Sequence, residues 1–267
     1  MIYLDNGATT FPKPEVVYQA MDIFARTGAV NAGRGAYAAA RAADQMIKNV
    51  RTGLISLMDA REQAQVVLTP SVTIALNQII YGQAWTEKSI AYVSPYEHNS
   101  VLRPLDVLSK KIGFQVLELP LAEDLSIDLA KTAAMFEENP PSFVAVTAVS
   151  NVTGYILPHR EIFRLARRYG AFNLLDGSQA GGLIRLPFAQ TMADAICFAG
   201  HKTLYGPFGI AGFLIKNSAK LQVTLAGGTG TKSEDLAMPT SLPGSMEAGS
   251  KDTVAIAGLE AALKWLP

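Results

Sequence analysis

Short runs of apolar residues alternate along the chain with stretches whose apolar positions recur every three or four residues. The first spacing is that of a buried strand, the second that of a helix with one apolar face. The runs Gln65–Leu68, Ser89–Val93, Ser142–Ala148, Phe172–Leu175, Ala193–Phe198 and Gly209–Ile215 predict strands. Ile47, Val50, Leu54, Leu57 and Met58 fall on one helical stripe, and Ile162, Leu165, Ala166 and Tyr169 on another. Strands alternating with helices predict an α/β fold around a mostly parallel sheet. There is no internal repeat, low-complexity tract or linker. A further apolar stripe, Ile256, Leu259, Leu263 and Leu266, runs up to Pro267. A helix with nothing after it to cover that stripe suggests that a further part of the fold is missing. A terminal helix docked on the main domain accounts for the same stripe equally well.

Composition narrows the class. Of 267 residues, 49% are apolar and 17% charged, enough to bury a sizeable core and too few charges for disorder. Lys plus Arg balance Asp plus Glu at 23 each, so charge gives no case for a nucleic-acid partner. The single cysteine, Cys197, excludes an intrachain disulfide and a cysteine zinc cluster. Asp5 interrupts the start of the chain where a secretory leader would be apolar. The uncharged stretch 139–158 carries Pro, Asn, Ser, Thr and Gly and reads as strand plus loop rather than a membrane span. The expectation is a soluble, cytoplasmic protein.

The polar residues supply the chemistry. Thr69, Ser71, Val72 and Thr73 follow Leu68; Tyr96, Glu97, His98 and Asn99 follow Val93. Ser150 and Asn151 follow Ala148; Asp176, Gly177, Ser178 and Gln179 follow Leu175; Gly200, His201 and Lys202 follow Phe198. Ligands of open α/β sheets bind beyond the carboxyl ends of the strands, so these five ends predict one assembled site. A lysine just past a buried strand loses solvation, which lowers its pKa and makes its amine a nucleophile suited to Schiff-base chemistry. Asp176 is placed to pair with the pyridine nitrogen of pyridoxal 5'-phosphate (PLP), and His98 to lie against the ring. Thr73, at a predicted helix start, offers its hydroxyl and backbone N–H groups to a phosphate. Taken singly, Asp176-Gly177 is an ordinary turn, His201 a satisfied structural histidine and His159 a surface residue at a helix start. Cys197 lies mid-strand and reads as a buried, inert thiol. Gly227-Gly-Thr-Gly-Thr-Lys232-Ser233 is not a phosphate loop of the Walker type, because Thr231 and Ala226 stand where that motif needs glycine.

These motifs together resemble the class V aminotransferase family of PLP enzymes, and within it the cysteine desulfurase and selenocysteine lyase-like proteins. The resemblance rests on Tyr3–Thr10, Leu68–Asn77, Glu97–Ser100, Ser150–Gly154, Asp176–Gln179, Gly200–Pro207, Ala226–Thr231 and Glu247–Ser250. It implies the large domain of an aspartate aminotransferase-type PLP-dependent transferase over 1–250, with 251–267 as the start of a smaller C-terminal domain that is otherwise missing. It makes Lys202 the Schiff-base lysine and proton shuttle, Asp176 the partner of the pyridine nitrogen and His98 the ring-stacking residue. Gln179 would bond the ring hydroxyl and Asn151 support the ring and substrate. Val72, Thr73 and His201 would hold the phosphate, and Ser250 would reach the phosphate of the partner subunit in a homodimer. The substrate implied is an amino acid, cysteine first, converted to alanine with sulfur left on the enzyme for an acceptor protein; no metal and no membrane are implied.

The chain departs from that pattern in several places. Ala199 stands where a hydroxyl residue is usual, which removes a phosphate hydrogen bond of about 1.5–3 kcal/mol. Ser250 replaces Thr, and Tyr37, in the stretch Asn31–Tyr37, replaces the His of many relatives. Relatives continue into a smaller domain carrying a persulfide-forming cysteine and a carboxylate-binding arginine. Sulfur transfer by residues 1–267 alone is therefore expected to be impaired. A transaminase or epimerase of another amino acid, or a catalytically dead PLP-fold remnant, are the competing readings.

Overall fold

The computed structural model describes residues 2–32, 35, 37–230 and 235–267. The strands are β1 (Ala64–Thr69), β2 (Ile90–Val93), β3 (Gln115–Glu118), β4 (Phe143–Thr147), β5 (Phe172–Asp176), β6 (Ala195–Ala199) and β7 (Ala211–Lys216). They form one seven-stranded sheet in the order β1-β7-β6-β5-β4-β2-β3. Neighbours from β3 to β6 are parallel, whereas β7 is antiparallel to both β6 and β1. Only β7 is therefore reversed, and the other six strands end at the same edge.

All six runs read from the sequence are strands. The unanticipated one, β3, is an edge strand with Gln115 and Glu118 exposed, so it carries no continuous apolar run. Elsewhere successive residues face opposite cores. Val66 and Leu68, Tyr92, Val144 and Val146, Leu175, Ile196 and Phe198 enter one core. Val67, Ala91 and Val93, Phe143 and Ala145, Leu174, Cys197 and Phe213 enter the other. A sheet covered on both faces needs apolar residues at every position, which is why its strands read as runs rather than alternations.

The covering helices are α1 (Glu15–Thr27), α2 (Ala38–Leu57), α3 (Val72–Tyr81), α4 (Asn99–Ile112), α5 (Leu129–Glu138), α6 (His159–Ala166), α7 (Phe188–Thr191) and α8 (Thr253–Trp265). Helices α3 and α4 bury Leu76, Ile79, Ile80, Val101 and Leu105 on one face. On the other, α2 buries Val50 and Leu54, α6 buries Ile162 and Phe163, and α8 buries Ile256 and Leu259. Helix α8 packs on α1 and α2, so its apolar stripe is covered within the chain and shares a core with α2. His159 begins α6 as expected but is half-buried rather than at the surface. Its Nδ1 lies 3.2 Å from the Leu157 carbonyl and its ring packs on Phe163. No helix among the described residues is long and apolar enough to cross a membrane.

Candidate active site

The end of β6 places Lys202. A close crossing sets its backbone: a Cβ on Gly200 would lie 2.4 Å from the Ile210 carbonyl oxygen, so only glycine fits where the chain turns toward β7. The N-terminal segment then clamps this turn. The His201 carbonyl accepts from Thr9 Oγ1 at 2.9 Å, Thr10 N at 3.1 Å and Lys13 Nζ at 2.6 Å. The Lys202 carbonyl accepts from Thr10 Oγ1 at 2.8 Å. The Lys202 amine has no hydrogen-bond or ion-pair partner among the described residues. Burial lowers its pKa, opposed by the negative charge of Asp176. The His201 ring stacks on Phe208 at 4.4 Å, and its Nδ1 is enclosed without a partner. Burial, then the charges of Lys202 and Lys13, bring that imidazole down to about 4, so it is neutral at physiological pH.

The end of β5 places Asp176, only 5% exposed. Its Oδ1 accepts from Ser178 N at 3.0 Å and Ser178 Oγ at 2.5 Å, which leaves Oδ2 as the oxygen open to a ligand. Gln179 donates from Nε2 to the Gly7 carbonyl at 2.7 Å, keeping one N–H for another acceptor.

At the end of β1, Ser71 caps α3 by accepting from Ile74 N at 3.3 Å. Val72 and Thr73 open that helix, where N–H groups have no acceptor within it. Thr73 Oγ1 lies 2.9 Å from Ser100 Oγ, and Ser100 Oγ lies 3.0 Å from His98 Nδ1. His98 Nδ1 also accepts from Ser100 N at 3.1 Å. A backbone N–H can only donate, so Nδ1 holds the lone pair and the proton sits on Nε2. His98 itself is exposed, as a ring-stacking residue must be on its open side.

Two predicted residues have no hydrogen bond to the others among the described residues. Asn151 follows β4, is exposed and makes no hydrogen bond among the described residues. Ser250 lines a cavity of about 430 Å³ with Asn31, Asp44, Lys48, Arg51 and Lys251, and a second one with Leu68, Thr69 and Pro70 at the end of β1. Part of the Gly227–Thr231 loop also lines the first; Thr231, with Lys232 and Ser233, lies outside the described residues, as do Gly33, Arg34 and Ala36 of the Asn31–Tyr37 stretch. Sequence reasoning missed the roles of Thr9, Thr10 and Lys13, of Ser178 under Asp176, and of Ser100 between Thr73 and His98. Ser178 alone had a local signal, two residues after the aspartate in an Asx-type turn.

The family model Aminotransferase class-V matches residues 2–267. The chain belongs to the class V aminotransferase family. Members of this family are PLP-dependent. The "Cysteine desulfurase" of Shigella sonnei is 29% identical over 276 residues, covering 100% of this chain and 67% of that protein. The "Cysteine desulfurase" of Salmonella newport is 31% identical over 277 residues with the same coverage. The structure of a cysteine desulfurase from Thermococcus onnurineus superposes with a TM-score of 0.90 at 26% identity, covering 99% of this chain and 67% of that one. One from Escherichia coli gives 0.85 at 27% identity over the same shares. The chain thus resembles cysteine desulfurases throughout and spans about two thirds of their length.

Proposed function

We propose that residues 1–267 form the cofactor-binding part of a class V enzyme that works at the Cα of an amino acid, with cysteine as substrate and a sulfur-acceptor protein downstream. The observation that carries this reading is the unpartnered, desolvated amine of Lys202 beside the charge of Asp176. The surrounding groups fit PLP. The enclosed, bare Nδ1 of His201 and the free N–H groups of Val72 and Thr73 suit its phosphate. The open Oδ2 of Asp176 suits a protonated ring nitrogen, the exposed face of His98 suits stacking, and the remaining N–H of Gln179 suits the ring hydroxyl. Asn151 stands at the substrate side of the same sheet edge. Ala199 offers the phosphate nothing, which weakens the grip at that one point.

When bound, PLP supplies an electron-withdrawing ring that stabilises negative charge at the substrate Cα. Lys202 would hold the cofactor through its amine, and its pKa, lowered by burial, leaves more of that amine in the neutral form that could take the Cα proton. Asp176 would keep the ring nitrogen protonated. His98, with its proton on Nε2, presents a neutral face to the ring.

A homodimer is part of the same reading. Exposed Ile74, Tyr81, Val223 and Leu225 surround a hollow of about 670 Å³ outside α3, near the Ser250 loop. An apolar patch of that kind suits a second copy. Borohydride reduction after PLP loading, followed by peptide mapping, tests the assignment. The label is expected on Lys202. A label on Lys13, whose pKa burial lowers to about 8, would refute it.

A further inference from the structure

Glu97 is buried at 8% exposure, and nothing described so far requires a carboxyl group there. Its Oε1 accepts from Ser94 Oγ and from Thr147 N, both at 2.5 Å. Its Oε2 is enclosed, and among the described residues it has no hydrogen-bond partner and no Lys, Arg or His in an ion pair. Asp176, on β5, is the charged group that acts on it; Cys197 pairs with Asp176 in register on β6, and His98 is the next residue along the chain. Tyr96 turns its hydroxyl away to the Leu125 carbonyl.

The hydrogen bonds of Glu97 have a specific reach. Ser94 closes β2, and Thr147 is the last residue of β4. Thr147 stands opposite Asp176 in the β4–β5 register. Glu97 therefore joins the loop that carries His98 to the strand pair that carries Asp176. These are the two residues that would grip the ring from its face and from its nitrogen. A carboxylate with one bare oxygen, enclosed and next to a second carboxylate, is costly; a carboxylic acid in the same place is far less so. Burial and the charge of Asp176 push the Glu97 carboxyl up to about 8, against the pull of its bonds to Ser94 and Thr147.

We propose that Glu97 is a positioning residue that works as a neutral acid, fixing His98 relative to Asp176 while leaving Asp176 the single anion beneath the cofactor. Its purpose rests on the PLP reading above; its protonation does not. Glutamine copies the neutral acid: its oxygen accepts the same two bonds, and it has no charge to gain. The test compares wild type, Glu97→Gln and Glu97→Ala. In the apo proteins, the unfolding midpoint is followed between about pH 6 and pH 9. A carboxyl raised in the folded state stabilises the fold at low pH and loses that contribution as pH rises through the folded value. Wild type should therefore lose stability relative to Glu97→Gln across this range.

In the loaded proteins near pH 7, Glu97→Gln should keep PLP affinity within about twofold of wild type, with the same visible circular-dichroism band of the cofactor. Glu97→Ala should lose about tenfold or more in affinity and alter that band. Parallel pH curves for wild type and Glu97→Gln, or a tenfold affinity loss in Glu97→Gln, overturn the proposal. These arms decide it even if Glu97→Ala does not fold. If neither wild type nor Glu97→Gln takes up PLP at Lys202, the cofactor reading and the positioning purpose fail, and the apo curves still decide the protonation state.

Discussion

Glu97 and Glu247 are the same residue at the same 8% exposure, yet their environments oppose one another. Burial would raise Glu247 as it raises Glu97, but Arg51 holds it with two bonds of 2.8 Å. Lys251 adds an ion pair at 2.9 Å and Leu68 N a hydrogen bond at 2.8 Å. The result is a carboxyl held below its usual range, whereas Glu97, with no cation paired to it among the described residues, is pushed up to about 8. Burial sets the cost of a charge, and the partners decide whether the charge is kept. Around Glu247 every polar atom of the carboxylate is used, and the knot ties α2 to β1 and to the loop before α8. At the strand ends, Lys202 Nζ, His201 Nδ1 and Glu97 Oε2 are left bare. Bare polar atoms also occur in the scaffold, at Gln78 Oε1 and Asn173 Oδ1, but those side chains are uncharged amides, whereas the strand ends leave groups that can carry charge without a partner.

The largest expected effect breaks the satisfied side. Arg51→Met removes both bonds to Glu247 and the bond to the Val66 carbonyl, stranding a buried carboxylate. The expected loss is about 3–5 kcal/mol in chemical denaturation at neutral pH. A loss below about 1 kcal/mol would mean that Lys251 and Leu68 N suffice to hold the charge.

The two glutamates should also divide the pH dependence of stability between them. Glu247, depressed in the folded state, stabilises the fold above its unfolded value and loses that contribution as pH falls through the lower folded one. Glu97 behaves in the opposite sense and loses its contribution as pH rises toward about 8. Glu247→Gln should flatten the acid limb of the stability curve, and Glu97→Gln the decline that runs up to about pH 8. If Glu247→Gln left the acid limb unchanged, another carboxyl would own it.

Much of this was legible in the sequence because the sheet is buried on both faces, which writes each central strand as a run of apolar residues. The strand-end chemistry was legible for the same reason, since polar residues directly after such runs have one place to go. Strand β3 was not, because an exposed edge strand shares its pattern with loops. Nor were the links that complete the site. Glu97 meets Thr147 across 50 positions and Lys13 meets His201 across 188, pairings that only the topology creates. The reversal of β7 was equally hidden, because strand direction leaves no trace in an apolar run.

The smallest expected effect concerns Cys197, and it sharpens the contrast within a single strand end. Cys197 and Lys202 both feel the negative charge of Asp176, which raises both pKa values. For a thiol, a raised pKa means loss of the nucleophile; burial, the larger cause, pushes the Cys197 thiol well above its ordinary value. For the amine the same charge only offsets part of the lowering by burial, so the base survives. Cys197 also faces the α3 and α4 core, fully enclosed, on the opposite face from its strand neighbours Ile196 and Phe198. Its backbone carbonyl, which accepts from Gly177 N at 3.0 Å, is untouched by a side-chain change. Cys197→Ala should therefore cost only about 1–2 kcal/mol, the scale of a small buried group. Any release of alanine and sulfide from cysteine by the PLP-loaded chain should be the same with and without the mutation. Wild-type Cys197 should resist alkylation under native conditions and label fully once unfolded. Fast native alkylation, or sulfide release that vanishes in Cys197→Ala, would place a working thiolate inside this strand and remove the distinction between its two reactive side chains.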